Sequence, residues 1–505
     1  MRRKRNDRTR REPGQPPASG RAAGQRLTQQ DIDASADALV AFLRLWADVW
    51  PRREQRDWSA FYLCGQLANL ERKTIEPMVL TLKGPDENAM RGLQQFVSQS
   101  NWSVCPKRER LQQLVGGWLG EPEAVMIFDG SGFPKQGSHS AGAAPQYCGA
   151  LGKIANCQEG VFAIYASSRG YAFVDGRLYV PDRWFGEDYR VRRQACGLPA
   201  ELCFQTEPEI ALTMLDEILA AGHLPFRWIT ADEHFGEIPA FLDGIAATGK
   251  WYQVEVPVDT RVWLRTPPIQ PPGPGLLGRP RTHPRVPPGA PRPIELKVLA
   301  AQLPRSAWQR WTIKEGSRGP LEADFVFVRV TTVRESLPGP RVWATFRRSL
   351  ADPTEIKFYL SNAPARCPHR QLVRVTGLRW PIETAIEEGK SEVGLDHYEV
   401  RSWLGWHHHM VQSFMAHLFL IQLRLAFKKK PGAHDRPSAP VDCLRDWPTQ
   451  RPFARPGRRH PLPPAAQSRR LPFSPQAHTR SSPTAALKRP ISRNLGVMDR
   501  SLGVM

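Results

Sequence analysis

Eleven prolines fall within residues 267–293, a stretch of 27 residues. Each removes a backbone N–H donor and fixes φ at about −65°, so neither a helix interior nor a central strand survives that density. The run is expected to be a polyproline-like linker or a long loop. Regular structure has to be sought on either side of it.

On its N-terminal side, Ile32, Ala36, Leu39, Val40, Phe42, Leu43 and Trp46 recur at helical spacing, followed by Leu63, Leu67 and Leu70 and then by Phe96 and Val97. This predicts an all-α region ending near Gly120. After Glu123 the pattern changes. Residues 125–129 are an apolar run ending in Asp129, and 160–166 and 171–180 read as paired strands around the turn Ser168-Arg169-Gly170. Residues 207–221 read as a helix, 225–230 as a strand leading to Asp232, 238–248 as a helix and 251–256 as one strand. Beyond the prolines, 325–331, 342–346 and 356–360 read as short strands separated by turns. One helical stretch is expected from Pro381, a favourable first-turn residue, to about Phe427. The expected fold class is α/β, a mixed sheet with flanking helices.

Composition narrows the setting and the partners. With 505 residues, 41% of them hydrophobic, and 16 tryptophans, the chain can bury a large core. No Gly-X-Y or heptad period runs through it, which excludes collagen-like and coiled-coil architectures. The formal charge of +21 is concentrated at the ends, +7 in residues 1–26 and +12 in 428–505, leaving +2 for the rest. Both tails lack an apolar period and are expected to be disordered. Basic tails favour polyanions such as DNA, RNA or anionic lipid; a merely solvated tail is the other reading. The eight cysteines form no C-x-x-C and no zinc-finger spacing, which points to a reducing cytoplasm. The most apolar stretch, 410–427, is interrupted by Gln412, His417, Gln422 and Arg424, so no membrane span is expected. The arginine-rich start has no apolar segment behind it and does not read as a secretory signal.

Three acids stand out. Asp129 and Asp232 each end an apolar strand, and Glu383 lies in the first turns of the helix that follows Arg379-Trp380-Pro381-Ile382. Carboxylates at strand ends meet at one edge of a sheet, and a helix laid across that edge adds a third. Such a cluster is unfavourable unless hard cations neutralise it, and Mg²⁺ prefers oxygen ligands of this kind. Two such ions suit an in-line displacement at phosphorus. An aspartate after a strand is more often a turn residue or a helix cap, so position alone decides nothing.

Arg379, Glu383 and Lys390 have the spacing R-(3)-E-(6)-K. With them, the chain resembles insertion-sequence transposases of the DDE endonuclease superfamily, which carry a Y-(2)-R-(3)-E-(6)-K signature. The strings F-D-G-S-G-F-P-K-Q-G, Q-Y-C-G-A-L-G-K-I-A-N-C-Q, T-A-D-E-x-F-G and E-E-G-K-S-E-V-G-L-D-H-Y-E-V-R share the likeness. The resemblance implies a ribonuclease-H-like core with Asp129, Asp232 and Glu383 as catalytic and metal-binding acids. It further implies Mg²⁺, or Mn²⁺ as its substitute, and a β-rich insertion between the second and third acids. Arg379 and Lys390 would hold DNA phosphates. Lys135, His139 and Lys153, in the Gly-rich stretch after Asp129, are further candidates for phosphate contact. Two departures are visible: Thr376 stands where the signature has tyrosine, and Gly130 follows the first acid where related sequences commonly have an acid or threonine.

The implied function is cut-and-paste DNA transposition at terminal inverted repeats, by a homodimer on double-stranded DNA in a bacterial cytoplasm, associated with the nucleoid. The alternatives are a ribonuclease-H-like structure-specific nuclease and a catalytically inactive DNA-binding relic or repressor. The expected organisation is a basic tail (1–26), a helical DNA-binding region (27–120), the first part of the core (121–263), a proline-rich loop and insertion (264–375), closing helices (376–427) and a second basic tail (428–505). Glu387 and Glu388 are expected to be exposed, with a Glu387–Lys390 ion pair as the alternative to a DNA role for Lys390. His407, His408 and His409 suggest a metal, but neighbours on a helix point in different directions. One outcome follows directly. Deleting 1–26 and 428–505 should leave a folded core whose non-specific duplex affinity is weaker and falls less steeply with salt, because fewer phosphates are neutralised. Loss of folding on truncation would show that the tails are structural.

Overall fold

The computed structural model describes residues 29–273, 282–316 and 319–428. The tail assignments, and 274–281 within the proline-rich run, lie outside the described residues. Five helices come first: α1 (Gln29–Arg44), α2 (Arg53–Leu67), α3 (Ile75–Lys83), α4 (Glu87–Ser98) and α5 (Cys105–Leu119). Local chemistry sets several of their ends. Asp86 caps α4 by accepting from Ala89 N at 2.9 Å, and Pro106 sits in the first turn of α5, where its missing N–H costs nothing.

A six-stranded sheet follows, from β1 (Val125–Pro134), β2 (Ala144–Cys148), β3 (Lys153–Ala166), β4 (Tyr171–Tyr179), β5 (Trp228–Thr230) and β6 (Trp251–Tyr252). β3 lies antiparallel to β1, β4 and β2, whereas β5 runs parallel to both β1 and β6. Parallel neighbours need crossovers, which here contain α6 (Arg190–Ala195) and α7 (Glu207–Ala221), then α8 (Glu233–Gly236) and α9 (Pro239–Ala247). A capping box between Thr206 and Glu209 starts α7, and Gly222 in the left-handed conformation ends it.

The chain does not continue 251–256 as one strand. After Tyr252 it passes to a second, seven-stranded antiparallel sheet through β7 (Val254–Val256). The switch is held by Gln253 N donating to Ile229 O at 2.9 Å. The second sheet contains β8 (Arg261–Trp263), β9 (Ile294–Glu295), β10 (Gln309–Gly316), β11 (Gly319–Arg334), β12 (Leu337–Arg348) and β13 (Ile356–Ser361). α10 (Leu296–Gln302) lies between β9 and β10. β11 and β12 form one long hairpin rather than short strands, turning at Glu335 and Ser336, both with positive φ.

Three helices close the described chain: α11 (His369–Gly377), α12 (Trp380–Val393) and α13 (Trp403–Lys428). The single helical stretch expected from Pro381 is broken, because Gly394 adopts the left-handed conformation and caps α12. By length and mean hydropathy (1.3) α13 could cross a membrane, yet most of it is buried within the fold. The N-terminal helices cover it: Phe42 meets Phe419 at 5.3 Å, Tyr62 Oη lies 2.8 Å from His409 Nδ1, and Gln66 Nε2 donates to Ser413 Oγ at 2.7 Å.

The histidine triplet serves this packing. His408 stacks on Trp102 at 3.4 Å, His407 Nδ1 sits 2.9 Å from Trp403 O, and His409 Nε2 sits 3.1 Å from Leu395 O. Burial pushes His407 and His409 down to about 3 and His408 to about 4. Glu388 is not the exposed acid expected. It accepts from Tyr171 Oη and from Arg424 Nη2, each at 2.9 Å, and lies 3.2 Å from His417. Those partners outweigh burial and bring its carboxyl down to about 2.

The two sheets meet tightly at α8. A Cβ on Gly236 would stand 1.9 Å from Glu255 O, so only glycine lets α8 lie against β7. Gly236→Ala should destabilise the protein by about 1–3 kcal/mol, the usual cost of overpacking, and should shift Asp232, which caps α8. Melting temperature checks the first effect. An unchanged value would show that α8 is free to move away.

Candidate active site

The strand register brings the two aspartates together. Val125, Met126 and Ile127 pair in parallel with Trp228, Ile229 and Thr230. Asp129 and Asp232 each lie two residues beyond the last of these pairs, which sets them at the same level: Asp129 within β1, paired with Phe162 rather than ending the strand as expected, and Asp232 just past β5. Asp232 is also a helix cap, accepting from Phe235 N at 3.3 Å. Asp232 is thus a helix cap whose charge also acts on Asp129.

Glu383, in the first turn of α12, is near enough for its charge to act on Asp129. Burial first, then the charge of Asp232, with a smaller contribution from Glu383, push the Asp129 carboxyl up to about 7; Arg379 and the Gly130 N–H oppose them. Glu383 remains 57% exposed, and Arg379 Nη2 donates to its Oε1 at 3.1 Å. Arg379 is only 20% exposed and also lies 3.6 Å from Glu255 Oε2. Lys357 Nζ donates to the other oxygen of Glu255 at 3.0 Å. Arg379 is thus the shared counter-ion of a group of acids drawn from both sheets and α12.

Two acids that the sequence reading missed complete the cluster. Glu159 on β3 and Glu207 at the start of α7 flank Gly130, where a Cβ would stand 3.1 Å from a carboxylate oxygen of each. The glycine after the first acid therefore makes room for carboxylates supplied from elsewhere. Burial, then Glu207 and Asp129, push Glu159 up to about 8, with Lys390 opposing them. Its Oε2 is buried without a hydrogen-bond partner. Glu207 is raised by burial and by Asp232, with His234 opposing. The available signal was Gln158-Glu159-Gly160, a polar break in an otherwise apolar strand.

The basic candidates are dispersed. Lys390 does not pair with Glu387; its Nζ donates to Gly132 O at 3.4 Å and lies 5.1 Å from the Phe133 ring, near Glu159. Lys135 and His139 line a polar cavity of about 430 Å³ at the far end of β1, with Arg72, Arg401, Asp396 and Tyr398. Lys135 Nζ lies 3.5 Å from the Tyr398 ring centre, and burial pushes it down to about 8. Lys153 is exposed at the start of β3, apart from both. Thr376, at the tyrosine position of the signature, is buried, and its Oγ1 donates to Val373 O at 2.6 Å.

The donor set is wholly carboxylate, which suits hard divalent cations. The Asp129 and Glu159 carboxyls are raised chiefly by burial and secondarily by neighbouring acids. Among the described residues, no three acid, histidine or cysteine side chains already close on one point; Glu383 is engaged with Arg379 instead.

Residues 45–320 match the family described as DDE superfamily endonuclease, and the chain belongs to that family. The matched span includes Asp129 and Asp232 and ends before Glu383. The probable transposase for insertion sequence element IS701 of Microchaete diplosiphon is 30% identical over 185 residues, covering 36% of this chain. The chain spans 44% of that relative's length. Among solved structures, a piggyBac transposase synaptic complex with hairpin DNA aligns with 83% of this chain and 77% of its own, at 10% identity and a TM-score of 0.39.

The acid cluster sets a pH dependence. Glu159 keeps a proton in the folded state up to about pH 8, whereas its ordinary value is 4.5. Between those values the unfolded chain has released that proton and the folded chain has not, so the acid's destabilising effect is absent below about pH 4.5, grows with rising pH and is complete above about 8. In EDTA, Glu159→Gln should therefore melt higher than wild type at pH 8.5 and equal to it at pH 4. Equal melting at both pH values would mean that the carboxyl is not confined as described.

Proposed function

We propose that the protein is a DNA transposase that binds the terminal inverted repeats of an insertion sequence, cuts there and joins the freed ends to target DNA. The observation that carries this reading is the juxtaposition of Asp129 and Asp232 by parallel strand register, with Glu383 of the R-(3)-E-(6)-K helix close enough for its charge to act on Asp129. The strand order β4-β3-β1-β5-β6, with three antiparallel strands followed by two parallel ones, supports a ribonuclease-H-like core. Membership of the DDE superfamily endonuclease family supports nuclease chemistry.

Asp129, Asp232 and Glu383 would hold divalent Mg²⁺, with Mn²⁺ as its substitute. Such ions supply the charge that activates water, and then a 3′-hydroxyl, for attack on a phosphodiester, and that stabilises the leaving oxygen. No side-chain nucleophile is required. Asp129, held within β1, would be the fixed ligand. Glu383, exposed and paired with Arg379, would have to give up that pairing to serve as another. Arg379, once released, is free to bind a backbone phosphate as a planar, two-pronged donor. Lys390 supports the strand beyond Asp129, and Lys135, His139 and Lys153 would serve as separate phosphate contacts. The helical region 27–120 and the basic tails provide further duplex contact, and a homodimer brings two ends together. The insertion of 264–375 and the closing helices of 376–427 would complete the core.

The test is a supercoiled plasmid carrying the gene with its flanking DNA. Wild type should release a Mg²⁺-dependent excised fragment and bind its ends. Asp129→Ala, Asp232→Ala and Glu383→Ala should each reduce cutting to background without lowering the melting temperature, because removing an acid also relieves repulsion. Robust cutting by any one variant removes that residue from the site. End binding without cutting by wild type would identify an inactive relic. Cutting of branched DNA without regard to the repeats would identify a structure-specific nuclease.

A further inference from the structure

The strand that carries Asp129 runs on into a segment without acids. Residues 130–158 contain Lys135, His139 and Lys153 and not one Asp or Glu. Within it, β2 and the first residues of β3 form a two-stranded ribbon, with Ala144 opposite Cys157 and Cys148 opposite Lys153. Gly149–Leu151 closes the ribbon, and Gly152 follows with φ +62°. That backbone conformation is one that glycine adopts at no steric cost, so the tip is a defined turn.

One face of the ribbon is anchored. Cys148 is fully buried, and its Sγ lies 2.9 Å from where a Cβ on Gly132 would stand. Cys157, opposite Ala144 on the same face, is buried as well. On the other face Asn156, near the base of the ribbon, donates from Nδ2 to Lys135 O at 2.7 Å and to Gly137 O at 3.1 Å, and beyond it that face is exposed. Tyr147 stands directly across from Ile154, with Leu151 at the turn, and the three are 65%, 74% and 46% exposed. Scattered exposed apolar residues are ordinary, but three gathered on the tip of a rigid ribbon mark a contact surface.

We propose that this tip is a DNA wedge: Tyr147, Leu151 and Ile154 enter a groove beside the site of cutting and separate a base step, while Lys153 contacts the adjoining phosphate. The inference rests on the reading of the protein as a DNA-cutting enzyme and adds to it the element that deforms the duplex. A two-stranded ribbon has the width that the major groove accepts. Apolar side chains driven between base pairs unstack and kink the helix, which presents a bent backbone to the protein. The seat on Gly132 ties the tip to the strand of Asp129, where a phosphate must approach. Charge selects the occupant. An acid-free ribbon repels no phosphate, whereas a second copy of the chain meeting the same patch by two-fold symmetry would set like charges against each other.

The experiment uses the full chain and an A·T-rich 40-base-pair duplex with 2-aminopurine at intervals. Wild type should bind and raise the 2-aminopurine fluorescence as bases unstack. The triple variant Tyr147→Ser, Leu151→Ser, Ile154→Ser should lose that rise and bind roughly tenfold more weakly, on the scale of lost stacking contacts. Its log–log salt slope should be unchanged, because no phosphate contact has gone. Lys153→Met should do the reverse, keeping the fluorescence rise and lowering the slope by about one. If wild type binds DNA and the triple variant matches it in affinity and fluorescence, the wedge is wrong and the DNA reading stands. If the variant instead loses self-association in sedimentation while its DNA binding is intact, the patch joins two copies. If wild type binds no duplex, the DNA reading itself falls.

Discussion

Everything at the candidate site depends on three residue pairs: Val125, Met126 and Ile127 beside Trp228, Ile229 and Thr230. This short parallel ladder joins segments about a hundred residues apart and sets Asp129 level with Asp232. A slip of one residue would turn one aspartate to the other face. The register is secured by packing on both faces, since all six of these side chains lie in the core, and a slip would force both faces to repack. The free energy that fixes the carboxylates is thus hydrophobic, and it offsets the electrostatic cost of gathering them.

That cost is large enough to shape the surroundings. Asp129 is held up to about 7 and Glu159 up to about 8, both chiefly by burial and secondarily by neighbouring acids. Arg379 is the answer available to the chain itself, paired with Glu383 and with Glu255 on the second sheet. The guanidinium thereby links α12 to the second sheet and occupies the third acid. A cation entering the cluster would compete with an internal one, so metal loading and release of Arg379 are one event in this account.

Much of this was legible in the sequence. The apolar run before Asp232 does report a strand end, whereas the one before Asp129 does not, because β1 continues past it to Pro134 with Asp129 paired to Phe162; Arg379, Glu383 and Lys390 stood at a recognisable spacing. What the sequence concealed were contacts made across long separations. Glu159 and Glu207 look like an isolated polar residue in a strand and an ordinary first-turn acid, and only the space left by Gly130 brings them beside Asp129. Glu388 looked like an exposed helix acid because its partners, Tyr171, His417 and Arg424, lie on β4 and α13. The break of 251–256 into two sheets had no local signal, because both halves are strand-forming and only pairing partners distinguish them. The chain break at Gly394 did have one, a glycine after a helical run, and was outweighed by the apolar period that resumes beyond it.

The central claim is that Asp129, Asp232 and Glu383 share one metal site, and iron-mediated backbone cleavage tests it most directly. Fe²⁺ with ascorbate, loaded in place of Mg²⁺, generates oxidants that cut the protein chain next to the bound metal. The account predicts cuts clustered near residues 129, 232 and 383, suppressed together by excess Mg²⁺ and lost together in Asp129→Ala. Cuts confined to other segments, or cuts near these acids that Mg²⁺ does not suppress, would contradict it.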